Sequence, residues 1–143
     1  MADFNKFTCF KTDVGLKLHD LNADTLRVYL SNEAPDAGDT VYKANGGGAG
    51  GPDDLITENG YTAKGADAAN AYSGGSLTGT DIVWTGTAAD DASGIGPFRY
   101  AVLYNDTAAA DNLIGWWDYG SAITVMSGET FTVDFGATIL TIT

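Results

Sequence analysis

The chain has 143 residues, 44% of them hydrophobic, with 19 glycines and only 3 prolines. That is enough apolar material for one folded domain with a core, and too much for a disordered chain. Formal net charge is −12 with 7 basic residues, scattered over Lys6, Lys11, Lys17, Arg27, Lys43, Lys64 and Arg99, so binding to nucleic acid or to an anionic membrane is disfavoured.

The opening Met1-Ala-Asp-Phe-Asn-Lys6 has no signal-peptide apolar core, and no apolar run approaches transmembrane length. Synthesis in a cytoplasm is the default expectation. Cys9, the single cysteine, has no intrachain disulfide partner and reads as a small buried apolar residue rather than a nucleophile. Phe4, Phe7, Phe10, Val14 and Leu18 recur at spacings of three and four. This predicts a helix within residues 1–20, with Asp3 able to cap it. Gly15 weakens that helix by about 1 kcal/mol relative to alanine. The stripe either packs on the chain's own sheet, the more ordinary outcome, or forms an arm that docks on a neighbouring subunit. His19, the only histidine, falls at the end of this segment beside Asp20, where a helix dipole favours its cationic form. A structural role is expected for it.

After a turn at Asp20–Asp24, residues 25–30 alternate Leu26, Val28 and Leu30 against Arg27 and Tyr29, as in a half-buried strand. Residues 44–54 contain a glycine-rich run, expected to be a flexible surface loop. A phosphate-binding loop needs a lysine and a hydroxyl after the glycines, and here Pro52, Asp53 and Asp54 follow. Asn59-Gly60 is a tight-turn dipeptide. Weak strands are expected at Ala71–Ser73 and Asp81–Thr85, and a turn at Asp90–Gly94.

Residues 97–119 hold the centre of the chain. Pro97-Phe-Arg-Tyr-Ala-Val-Leu-Tyr104 and Leu113-Ile-Gly-Trp-Trp-Asp-Tyr119 are two strand-like runs joined by turn formers, the pattern of a β-hairpin. Alternation places Phe98, Tyr100, Val102 and Tyr104 on one face, and Arg99, Ala101, Leu103 and Asn105 on the other. In the second strand it groups Ile114, Trp116 and Asp118 against Leu113, Trp117 and Tyr119. Both faces are largely apolar, so the strands are expected to be central in the fold, or else covered on one face by the fold and on the other by a partner. Further strands are expected at Ala122–Val125, Thr130–Phe135 and Thr138–Ile142. Short strands with turns at intervals of roughly ten residues suggest an antiparallel β-sandwich or jelly-roll-like fold with one short N-terminal helix, in a single domain over residues 1–143.

No catalytic constellation, metal site or cofactor is expected. A catalytic triad or a histidine-based metal site would rest on His19 alone. The pairs Asp53-Asp54 and Asp90-Asp91 read as solvated and do not fit a calcium loop. An enzyme acting on polysaccharide would need carboxylates such as Asp90 and Asp118 brought across one cleft. Trp116 and Trp117 are strand neighbours facing opposite sides and cannot form one sugar-stacking platform. One is expected in the core and the other as a partner-facing anchor.

Gly96–Thr107, Leu113–Gly120 and Ser127–Phe135, with Phe4–Phe7, Asp24–Val28, Ser31-Asn32 and Asn59–Thr62, resemble small structural proteins of tailed bacteriophages, most of all capsid decoration or cement proteins. The glycine-rich run departs from that pattern. The resemblance implies a non-enzymatic, β-rich virion protein on the capsid exterior, assembled in the host bacterial cytoplasm as a homodimer or homotrimer that bridges neighbouring major capsid proteins. The alternative is a phage tail or fibre component that binds a receptor or glycan. Expected partner contacts are Phe4, Phe7 and Phe10 of the N-terminal arm, with Trp117 and Tyr119 of the hairpin; the alternative for each is ordinary core, the favoured outcome for the phenylalanines.

Overall fold

A computed structural model of the protein describes residues 2–87 and 93–143. Asp90-Asp91 lies outside the described residues, and with it the question of a cleft shared with Asp118. In chain order the elements are β1 (Phe4–Lys6), α1 (Cys9–Gly15), β2 (Leu26–Ser31), β3 (Ala66–Asp67), β4 (Ala71–Ser73), β5 (Ser76–Thr78), β6 (Ile82–Thr85), β7 (Ile95–Asn105), β8 (Leu113–Val125), β9 (Thr130–Val133) and β10 (Leu140–Thr141). They form a five-stranded sheet ordered β1-β8-β7-β2-β3, a three-stranded sheet β10-β5-β4 and a two-stranded sheet β6-β9. Every strand pair is antiparallel. The fold is therefore mainly β with one short helix, as the alternation predicts. Sheets of five, three and two strands do not spell out a jelly-roll order.

The hairpin of β7 and β8 is the spine. Its registers shift between Phe98 and Tyr100 and again between Leu103 and Tyr104, and each extra residue moves the side chains that follow to the opposite face. Phe98 consequently joins Ala101 and Leu103 in the larger core, not the face of Val102 and Tyr104 as simple alternation predicts. Ile114 is likewise separated from Trp116. Ile114 and Trp117 face the larger core, while Leu113 and Trp116 face the smaller one.

That larger core lies between the five-stranded sheet and the two smaller sheets. It joins Leu26, Val28 and Leu30 of β2 to Leu77 of β5, Ile82 and Trp84 of β6, Val133 of β9 and Leu140 of β10. On the outer face of the five-stranded sheet, Phe7, Tyr29, Val102, Tyr104 and Leu113 form a second cluster with Cys9, Tyr42 and Trp116. Tyr42 stacks on Tyr104 with ring centroids 5.2 Å apart and meets Tyr29 edge-on at 5.1 Å. The chain covers both hairpin faces itself, so the hairpin is central in the fold, the first of the two outcomes its apolar faces predict.

The glycine-rich run is the device that achieves this. Residues 44–49 are exposed, but Gly51, Pro52 and Asp54 are buried. Thr40 and Val41 donate to the Gly50 carbonyl at 2.7 and 3.2 Å, and the Tyr29 hydroxyl donates to the Pro52 carbonyl at 3.0 Å. A Cβ at Gly51 would meet the Val41 carbonyl and the Leu113 side chain. The run is a strap laid close against the sheet, not a free surface loop throughout.

The N-terminal segment also departs from its helical reading. Phe4 lies on β1, paired with Trp117 of β8, and the helix covers only Cys9–Gly15, with no side-chain cap bond at Thr8. Residues three apart share a helix face but lie on opposite faces of a strand. Here the strand wins, because the sheet has an apolar surface on each side. Phe4 packs on Trp117 at 4.8 Å, and Phe7 packs on Trp116 at 4.5 Å on the other side. Phe10 and Asp13 are the buried residues of α1, and Leu18, beyond its end, is 41% exposed.

Candidate docking face

The N-terminal segment and the chain's last strand build one face of the molecule. A hollow of about 520 Å³ is lined by Lys6, Phe7, Thr8, Phe10, Lys11, Val14, Thr141, Ile142 and Thr143. A second, of about 370 Å³, is lined by Val14, Lys17, His19, Asp20, Leu21, Asn22, Tyr72 and Ile142. Val14 and Ile142 line both, so the hollows adjoin. Leu16 and Leu18, on the chain that leaves α1, are large exposed hydrophobics, as is Ile142. An apolar surface of this kind is what partner contacts use.

Charge sets this face apart. Elsewhere the cations are engaged. Lys43 bridges Glu33 and Asp53 at 3.1 and 3.0 Å. Lys64 bridges Asp106 and Asp111 at 3.3 and 3.0 Å. Arg99 forks onto both oxygens of Asp118 at 2.8 and 3.0 Å. Arg27 donates to the carbonyls of Lys64 and Gly65 at 3.2 and 2.7 Å. Among the described residues no carboxylate lies within 4.0 Å of Lys6, Lys11 or Lys17. These three lysines are exposed and sit on or beside the N-terminal segment; the first hollow holds Lys6 and Lys11 with no acidic side chain, while the second sets Lys17 beside Asp20.

Of the residues expected to touch a partner, Phe7, Phe10 and Trp117 are interior at 2%, 5% and 4% exposure. That is the ordinary core outcome for these side chains, although Phe7 and Phe10 also line the floor of the first hollow. Phe4 is half-buried over Trp117. Tyr119 is half-buried against Phe131 at 5.0 Å, and burial pushes its hydroxyl pKa up to about 12. Lys6, Lys11, Lys17, Thr141 and Ile142 belong to the face but were not legible as a site. The lysines look merely scattered in the sequence, and the last strand joins them only through the tertiary fold.

Asp54, His19 and Cys9 are held within the fold. Asp54, expected in solvent, is 1% exposed and accepts from the hydroxyls of Tyr42 and Tyr61 and from the Lys64 amide. His19 lies past the helix end with a fully buried side chain. Burial drives its pKa below the usual value, opposite to the cationic form expected from a helix dipole. Its Nδ1 is 3.1 Å from the Asn105 amide nitrogen. The Cys9 sulfur sits 3.5 Å from the Leu113 carbonyl, and burial lifts its pKa to about 11, so the thiolate is scarce at neutral pH. Among the described residues there is no cluster of three metal-ligating side chains and no helix long and apolar enough to cross a membrane. Comparison with protein families, curated proteins and solved structures finds no match.

Proposed function

We propose that the chain is a non-enzymatic structural protein that binds the outside of a tailed-phage capsid through its N-terminal face and holds neighbouring major capsid proteins together. The observation that carries this reading is the separation of charge and apolar surface. An acidic body whose other cations are engaged bears one face where Lys6 and Lys11 line a largely apolar hollow and Lys17 lines an adjoining one that also carries Asp20. The resemblance supplies the setting, and its motifs Gly96–Thr107 and Leu113–Gly120 form the central hairpin. An acidic body is poorly suited to the DNA-facing interior of a shell. Many copies, each making modest contacts around a symmetric shell, add up through multivalency, and association as a dimer or trimer would match its local axes.

The alternative of a glycan- or receptor-binding tail component has less support. Trp117 is interior and Trp116 is half-buried beneath Phe7, so the hairpin offers no open aromatic platform. The test is to mix the purified chain with undecorated capsids and image the particles. Saturating outer-surface density that fits this fold supports the reading. Absence from capsids with copurification on tails overturns it.

A further inference from the structure

We propose that the first hollow receives an extended, acidic segment of a partner protein, which adds as a short strand between two free sheet edges. The proposal rests on the docking role given above to the N-terminal face and names what docks there. β1 is the outermost strand of the five-stranded sheet, and β10 is the outermost strand of the three-stranded sheet. Lys6 of β1 and Thr141 of β10 line the same hollow.

Lys6 and Thr141 each turn an amide and a carbonyl outward, while Thr8, next along the β1 side, already donates to the Ala37 carbonyl at 2.9 Å and bounds the open stretch. Phe7 donates its amide hydrogen to the Ile114 carbonyl at 3.1 Å. Inward and outward groups alternate along an antiparallel strand, so the amide and carbonyl of Lys6 turn away from β8. Ile142 donates to the Gly75 carbonyl at 2.7 Å, and by the same alternation Thr141 turns its amide and carbonyl away from β5. An open edge is a template for an added chain. With β1 three residues long and β10 two, the added strand is short, and its affinity depends on its side chains.

Those side chains are constrained in turn. Phe7, Phe10, Val14 and Ile142 supply the apolar part of the lining, Lys6 and Lys11 supply the charge, and no acidic side chain lines the hollow. An incoming strand sends alternate side chains to opposite faces. Apolar ones match the floor, and carboxylates match the lysines. A short segment feels those lysines more than distant charge, which is screened beyond about 8–10 Å at physiological salt. A second whole copy would instead bring its own net charge of −12 against this one.

The test uses the full chain and labelled peptides of about ten residues, long enough at ~3.3 Å per residue to cross the hollow. One peptide alternates valine with glutamate, and its control alternates valine with lysine. Fluorescence polarisation measures binding, and amide NMR shifts locate it. We expect saturable binding of the acidic peptide alone, shifts at Lys6, Thr8 and Thr141, and weakening by salt. The exposed pair Lys6→Glu with Lys11→Glu should weaken binding at least about tenfold, or 1.4 kcal/mol, without changing the melting temperature. Equal binding of the lysine peptide, no loss in the double variant, or no binding of any peptide overturns the proposal. Dimerisation of the chain abolished by the same double variant would assign the hollow to a second copy and also overturn it. Capsid binding that survives in the double variant would leave the capsid reading standing while the hollow loses its role.

Discussion

The Tyr61 hydroxyl donates to Asp54 Oδ1 and at the same time accepts the Leu30 amide at 3.0 Å, tying the segment after the glycine-rich strap to the end of β2. Tyr42 adds a second hydroxyl to the same carboxylate at 2.8 Å, and the Lys64 amide a third donor. A buried carboxylate with several donors is stable as a set and costly when one member is lost. Asp54→Ala leaves those donors unpaired and should cost about 3 kcal/mol or more, at roughly 1–3 kcal/mol per orphaned group. Tyr61→Phe should cost about 1–3 kcal/mol. Urea unfolding checks both, and an unchanged midpoint for Asp54→Ala would refute the role given to this set.

Acidity should weaken the fold through His19. Its side chain is buried against Phe10, ring centroids 5.6 Å apart, with Asp13 and Asp24 as the carboxylates acting on it. Burial is the largest influence and lowers its pKa below 6.5, while the two aspartates oppose it. The neutral form is therefore the folded form. This contribution is full above the unfolded value of 6.5 and is lost as pH falls below it toward the lowered folded value. Asp54 runs the other way. Burial, set against its hydrogen bonds, raises its pKa above 3.8, so its contribution is full below 3.8 and is lost as pH rises through the raised value. Stability measured from about pH 7 down to about pH 5.5 should decline in the parent chain and decline less in His19→Asn. Equal slopes in the two chains would show that His19 does not titrate this way.

Trp117 should behave as core and not as a binding anchor. It is 4% exposed and packs on Phe4 at 4.8 Å and Phe135 at 5.5 Å. Trp117→Ala should cost about 3–5 kcal/mol, the usual range for a large aromatic removed from a packed interior. Tyr119→Ala, at a half-exposed position against Phe131, should cost less, about 1–2 kcal/mol. Thermal melts of the two variants decide it. If Trp117→Ala melts like the parent, its interior placement is wrong.

What the sequence made legible was local. The hairpin over residues 97–119 follows from two β-branched and aromatic runs separated by turn formers, whereas the continuation of β8 through Gly120 to Val125, read as a separate strand, does not. The Asn59-Gly60 turn follows from two residues that tolerate positive φ, found here at 52° and 103°. The side on which each hairpin residue faces was not legible, because a bulge adds one residue without a compositional mark. That is why Phe98 and Ile114 exchange faces relative to simple alternation. The phenylalanine spacing misled for a related reason. Phe4, Phe7 and Phe10 satisfy a helical period, but apolar surfaces on both sides of β8 reward a strand followed by a turn. The docking face depends on Lys6 and Val14 lining one hollow with residues more than a hundred positions away, and no local pattern encodes that proximity.

Removal of residues 1–10 is the blunt way to ask whether the N-terminal segment makes the docking contact, and the structure predicts that it fails for a different reason. The deletion strips β1 from β8 and takes Phe7 and Phe10 out of the two cores. It also uncovers Trp116 and Trp117, whose ring partners are Phe7 and Phe4. Loss of two buried phenylalanines alone, at about 3–5 kcal/mol each, approaches the whole stability of about 5–15 kcal/mol typical of a domain. The truncated chain should therefore be unfolded or aggregate at room temperature, with its tryptophan emission shifted to the red. Failure to bind capsids would then report unfolding. Lys6→Glu with Lys11→Glu changes the same face while leaving every buried residue in place, so it should melt with the parent and lose binding. A truncated chain that keeps the parent's emission and melting temperature would show that the segment is not part of the folded core.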